Sequence, residues 1–150
     1  MHLVLPGLVD LPRTETAAAV IYQVNEGAGL AIYPLVPLPA ELDVWGRQVV
    51  GGNTPERVRV LAVKEEETDL GWPVTIALSE LVDPVTGNVT ELRLHMLFRF
   101  LEFGGIAILK ALSQPAFDHA FEFIQPLVNH ARPDFHGDHV PALAMVWSGM

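Results

Sequence analysis

WPVTIALSELVDPVTGNVTELRLHMLFRF, residues Trp72 to Phe100, holds the pattern that decides the fold. Trp72, Val74, Ile76 and Leu78 alternate with other residues, and after the turn-forming stretch DPVTGN the alternation resumes with Leu92, Leu94, Met96, Phe98 and Phe100. Period-two spacing places each of these rows on one face of an extended chain, so two long paired strands are expected. A slip of one residue would set an apolar row against a polar one. Opposed residues must therefore share parity, and Leu78 against Leu94 meets that condition. The other face then carries Thr75, Ala77 and Ser79 beside Arg93, His95, Leu97 and Arg99, a mixed surface.

Working outward, the apolar runs AAAVIYQV (17–24) and LAIYPL (30–35) flank NEGAG, whose glycines tolerate the positive φ of a tight turn, and read as a hairpin. Pro39 sits where a first helical turn accepts it, and Leu42, Trp45 and Val49 follow at helical spacing, so a short helix is expected to about Val50. Gly51-Gly52-Asn53 ends it, and Val58, Val60 and Ala62 alternate as a third strand, with Glu65-Glu66-Glu67 as its solvated end. GIAILKAL (105–112) reads as a central or near-central strand. Ser113 is an N-cap ahead of Pro115, and Phe117, Phe121, Ile124 and Val128 recur on one helical face to about Asn129. Pro126 removes one helical hydrogen bond, which predicts a kink there or an early stop at Gln125.

These elements make an α+β domain: an antiparallel sheet of about six strands, flanked by a short helix and a long C-terminal helix. The 150 residues fit one domain, with 130–150 as a C-terminal tail extension. Half the residues are hydrophobic, 18% are charged and mean hydropathy is +0.31, which excludes disorder for most of the chain. There is no Cys, hence no disulfide framework, thiolate nucleophile or cysteine zinc site. Nine basic residues against eighteen acidic ones give a net charge of −9, which repels phosphate backbones, so nucleic acid is not an expected partner. No apolar stretch reaches bilayer-spanning length and the N-terminal stretch lacks a basic region. The expectation is a soluble cytoplasmic protein with no membrane insertion.

Few residues carry a chemical signature. His130, His136, Asp138 and His139 crowd the stretch NHARPDFHGDH, and imidazole with carboxylate suits zinc, iron or nickel. A polar loop leaving a helix acquires the same residues for turn reasons, and no fixed second shell is legible, so neither a metal nor another cofactor is expected. His95 with Arg93 and Arg99 forms either an anion or carboxylate grip or the plain exposed face of a strand paired to nearby Glu residues. Neither G-x-S-x-G nor H-E-x-x-H occurs, and the sequence carries no catalytic signature. The tail residues Val140, Leu143, Met145 and Trp147 are too apolar to be left in water and are expected to dock on this chain or a second copy, giving a homodimer.

The order strand, strand, helix, strand, long hairpin, strand, long helix is carried here by GLAIYPL, PAELDVWGRQV, DLGWPVTIALSEL, LRLHMLFRFLEFGGIAILKAL and FDHAFEFIQPLV. It resembles the PsbP-like superfamily and, within it, the small bacterial DcrB-like proteins, over roughly Leu3 to Val128. The sequence is also similar to the effector-associated chaperones of type VI secretion, which shelter apolar effector segments against a sheet groove, often as dimers. The resemblance implies a non-enzymatic chaperone or adaptor whose partner is an apolar segment of a client protein. Its groove would fall on Thr75, Ala77, Arg93, His95, Leu97 and Arg99. Two other classes stay open: a metal-dependent enzyme using the His/Asp-rich tail, and a small-ligand carrier with a pocket between helix and sheet.

Overall fold

The structure is a computed structural model and describes residues 1–135. Ten strands form among the described residues: β1 (His2–Val4), β2 (Arg13–Glu15), β3 (Val20–Asn25), β4 (Ala28–Ile32), β5 (Val36–Pro37), β6 (Val58–Glu67), β7 (Pro73–Val82), β8 (Val89–Phe100), β9 (Phe103–Ala111) and β10 (Arg132–Asp134). Two α-helices accompany them, α1 (Leu42–Gly51) and α2 (Gln114–Val128). The main sheet runs β2-β3-β4-β9-β8-β7-β6, with β5 also paired to β9, and β1 and β10 form a separate two-stranded ribbon. All pairings among the described residues are antiparallel.

The α+β class and the six longer strands agree with the sequence reading. The count of about six is corrected upward to eight in the main sheet, plus the ribbon. β1, β2, β5 and β10 have three residues or fewer, less than two full alternations, so period-two patterning could not reveal them.

Register is the organising fact. Leu78 opposes Leu94, as parity requires, and Leu94 opposes Leu109. Val74, Leu94, Met96, Phe98, Phe100, Ala107 and Leu109 are consequently all buried on one face, continued on β4 by Leu30 and Ile32. Phe98 and Phe100 stack at 5.5 Å, and Trp72 meets Phe100 edge-on. α2 covers part of this face with Phe117, Ala120, Ile124 and Val128, while Leu3, Leu5, Leu8 and Ala131, around the β1-β10 ribbon, join the same core.

Local chemistry explains the helix ends. Ser113 Oγ accepts the Ala116 N–H at 3.3 Å, the N-cap bond its position predicts. The early stop at Gln125 does not occur, since α2 continues through Pro126 to Val128. Pro126 and Glu122, whose carbonyl loses the hydrogen bond, are both exposed residues near the helix end.

Two sequence expectations about turns and pairing are also revised. Neither Gly27 nor Gly29 has positive φ. Gly27 is instead required by close packing, because a Cβ there would lie 2.9 Å from Ala116 Cβ on α2. In β6 the expected alternation of Val58, Val60 and Ala62 is interrupted: Val60 opposes Ser79 but Ala62 opposes Leu78, leaving Leu61 as an extra residue. This bulge turns Val63, rather than Ala62, onto the face that holds Val58 and Val60.

The register yields a stability test. Met96 has no exposed surface, so Met96→Asp drives an unpaired charge into the apolar layer and should cost roughly 4 kcal/mol or more in urea titration. A wild-type unfolding midpoint would refute the packing described.

Candidate functional site

Odd-numbered positions of β7 and β8 point away from the core of α2. Thr75 opposes Leu97, Ala77 opposes His95 and Ser79 opposes Arg93, which brings the six sequence-predicted residues onto one face. α1 lies on that face and not on the other. Gly104 of β9 is the contact that seats it, since a Cβ there would lie 2.8 Å from the Trp45 ring, and a Cβ on Gly46 would reach Leu97 at 3.7 Å.

α1 divides the face into two hollows. The first, about 530 Å³, lies over β6, β7 and β8. Leu42, Trp45 and Val50 form its α1 wall, Val58, Val60 and Val63 its β6 wall, and Thr75, Ala77 and Leu97 its floor, with Asp43, Arg47, Glu65 and Arg99 among its charged lining. The β6 wall is open to solvent: Val60 is 50% and Val63 61% exposed. The second, about 330 Å³, lies over β8 and β9 on the other flank of α1, lined by Tyr33, Gln48, Val49, Asn53, Thr54, Arg93, His95, Ile106, Ile108 and Lys110. The predicted residues are therefore split. Thr75, Ala77, Leu97 and Arg99 belong to the apolar hollow, Arg93 and His95 to the cationic one.

His95 is the most perturbed group on this face. It is 2% exposed, and desolvation first, then the charges of Arg93 and Lys110, push its imidazole down to about 4. It is neutral at pH 7. Its Nδ1, Ser79 Oγ and Arg99 Nε are buried atoms without a hydrogen-bond partner among the described residues. Arg93 is paired through Nε to Glu91, whereas Lys110 is exposed and has no carboxylate in ion-pair range among the described residues.

Sequence reading missed the β6 wall, Trp45 and Lys110. Val60 and Val63 have opposite parity, and only the bulge unites them. Lys110 reaches the site through the pairing that sets it opposite Arg93, a register that the uniformly apolar run of β9 does not announce. A further hollow of about 430 Å³ lies on the core face between α2 and the β6-β7 side, lined by Ile76, Leu78, Phe117 and Phe121 among others. His130 is exposed at the end of α2, while His136, Asp138 and His139, and the tail positions Val140, Leu143, Met145 and Trp147, lie outside the described residues. Among the described residues no group of three or more His, Asp or Glu is placed to hold a metal ion, and no helix is long and apolar enough to cross a membrane.

No protein-family model matches the sequence, and no curated protein matches it. Among solved structures, the solution structure of cyanobacterial PsbP (CyanoP) from Synechocystis sp. PCC 6803 superposes with a TM-score of 0.56 at 12% identity, over 82% of this chain and 80% of that one. The fold is PsbP-like. At such an identity the likeness is one of backbone architecture. The PsbP-like sheet explains why two helices can leave hollows on both faces: eight strands present more surface than α1 and α2 can roof.

The buried imidazole gives a pH signature. An unfolded His titrates near 6.5 and His95 near 4, so between these values the unfolded protein holds the extra proton. The contribution of neutral His95 is complete above about 6.5 and is lost as pH falls toward 4. In urea titrations at pH 7 and about 4.5, His95→Gln should lose roughly 2 to 3 kcal/mol less stability on acidification than the parent. Identical losses would show that His95 is not held neutral.

Proposed function

We propose that this protein is a non-enzymatic protein-binding domain, a chaperone or adaptor that receives an apolar segment of a client protein in the hollow between α1 and β6. The observation that carries the reading is the open apolar wall of Val58, Val60 and Val63 facing the α1 residues Trp45 and Val50 across a floor of Thr75, Ala77 and Leu97. Water-exposed valines lining a concavity are a surface that an apolar segment of another protein covers favourably, at about 25 cal/mol per Å². β6 is also the sheet's long edge, which offers backbone groups to an added strand. Its second half is guarded by Lys64 and Glu65-Glu66-Glu67, so the open end for a client is the Val58–Val63 end.

The PsbP-like fold and the resemblance to DcrB-like proteins support this choice over catalysis. A client destined for secretion, met in the cytoplasm, is the finer form of the proposal. Val60→Glu with Val63→Glu alters only exposed side chains, so the fold should remain intact by circular dichroism. The double variant should lose at least about tenfold in affinity for the apolar segment of the partner recovered from the native cell, measured by isothermal titration. Equal affinity of parent and variant would place the client elsewhere.

The assembly proposed is a homodimer, with the tail residues Val140, Leu143, Met145 and Trp147 at the subunit boundary. Truncation after Phe135 keeps β10 and should give a monomer or an aggregate by light scattering. A truncated protein of unchanged size and behaviour would refute this assembly.

A further inference from the structure

The cationic hollow on the β9 flank of α1 is unlike the rest of this acidic protein. Three basic side chains, Arg93, His95 and Lys110, line it, and no Asp or Glu does, although the whole protein carries a net charge of −9. Its other walls are apolar or neutral: Val49, Ile106 and Ile108 supply hydrocarbon, and Tyr33, Gln48, Asn53 and Thr54 supply neutral polar groups. At its floor His95 is 2% exposed, and His95 Nδ1 has no hydrogen-bond partner among the described residues.

We propose that this hollow binds a monoanionic carboxylate bearing a compact apolar body, with Lys110 and Arg93 attracting the carboxylate, His95 donating one N–H to it, and Val49, Ile106 and Ile108 packing on the body. The charge balance selects the anion. Glu91 already neutralises part of Arg93, leaving about one net positive charge from Arg93, Glu91 and Lys110 together. A carboxylate is acceptor-only, and each of the three basic side chains can donate to it: Lys110 and Arg93 as cations, neutral His95 through one tautomer. A metal cation is disfavoured by the same two positive charges. A phosphate dianion would exceed the available charge and could not use the apolar walls.

A free organic acid and the C-terminal residue of a peptide share this chemistry. The inference does not depend on the client reading, because the two hollows lie on opposite flanks of α1.

The test uses the full-length protein and four probes in isothermal titration: N-acetyl-L-leucine, its uncharged amide, benzoate and inorganic phosphate. N-acetyl-L-leucine is expected to bind, with the amide and phosphate each at least about tenfold weaker. Benzoate binding as tightly assigns a free acid, and benzoate binding more weakly assigns the C-terminus of a peptide. Lys110→Met, a change at an exposed position, should weaken the carboxylate at least about tenfold. By NMR titration, the His95 imidazole should move upward from about 4 when the probe saturates the site, since an adjacent anion favours the charged form. The Val60→Glu, Val63→Glu variant should bind the probe as the parent does, which separates this site from the client groove. Equal binding of the amide, preference for phosphate, an unaltered affinity in Lys110→Met, or no binding up to about 10 mM would each overturn the proposal.

Discussion

The structure depends on the register that sets Leu78 against Leu94 and Leu94 against Leu109 across its three central strands. Because side chains alternate between faces, this one alignment sorts the residues of β7, β8 and β9 into two populations. Even positions of β7 and β8 gather Val74, Leu94, Met96, Phe98 and Phe100 into the core under α2 and the terminal ribbon. Odd positions gather Thr75, Ala77, His95 and Leu97 under α1. A slip of one residue would place Arg93 and Arg99 in the core face, an outcome that the cost of burying unpaired charge forbids.

Elements with long, strict alternation were legible because each carries the register argument within itself. The hairpin of β7 and β8 is the clearest case, and the Ser113 cap of α2 is the next, since its cue is one local hydrogen bond. What escaped reading depends on partners distant in sequence. Leu3 of β1 packs opposite Pro133 of β10, and no local pattern names that pairing. The helix stop at Gln125 failed for a different reason: Pro126 lies within three residues of the helix end, where few intrahelical bonds remain to be lost, and where the helix ends cannot be read from Pro126 alone.

The functional face was half legible for the same reason. Alternation placed Thr75, Ala77, Arg93, His95, Leu97 and Arg99 together, but it could not say that α1 would cross them and separate the apolar members from Arg93 and His95. The single extra residue Leu61 gives the apolar hollow its outer wall by turning Val63 to the side of Val60. Lys110 gives the cationic hollow its unpaired charge only through its position opposite Arg93. Both features arise from pairing between strands, which a single sequence records only indirectly.

The ribbon of β1 and β10 brings two distant segments together. His2 lies opposite Asp134 and their side chains approach to 3.4 Å, so the two ends of the described residues meet at one corner of the sheet. During synthesis β1 is made first but acquires its partner only after α2 has been completed. Until then Leu3, Leu5 and Leu8 lack the Ala131 side of their packing. The β1-β10 pairing is therefore the last strand pairing among the described residues that synthesis permits, and the bridge from His2 to Pro34 can form well before it.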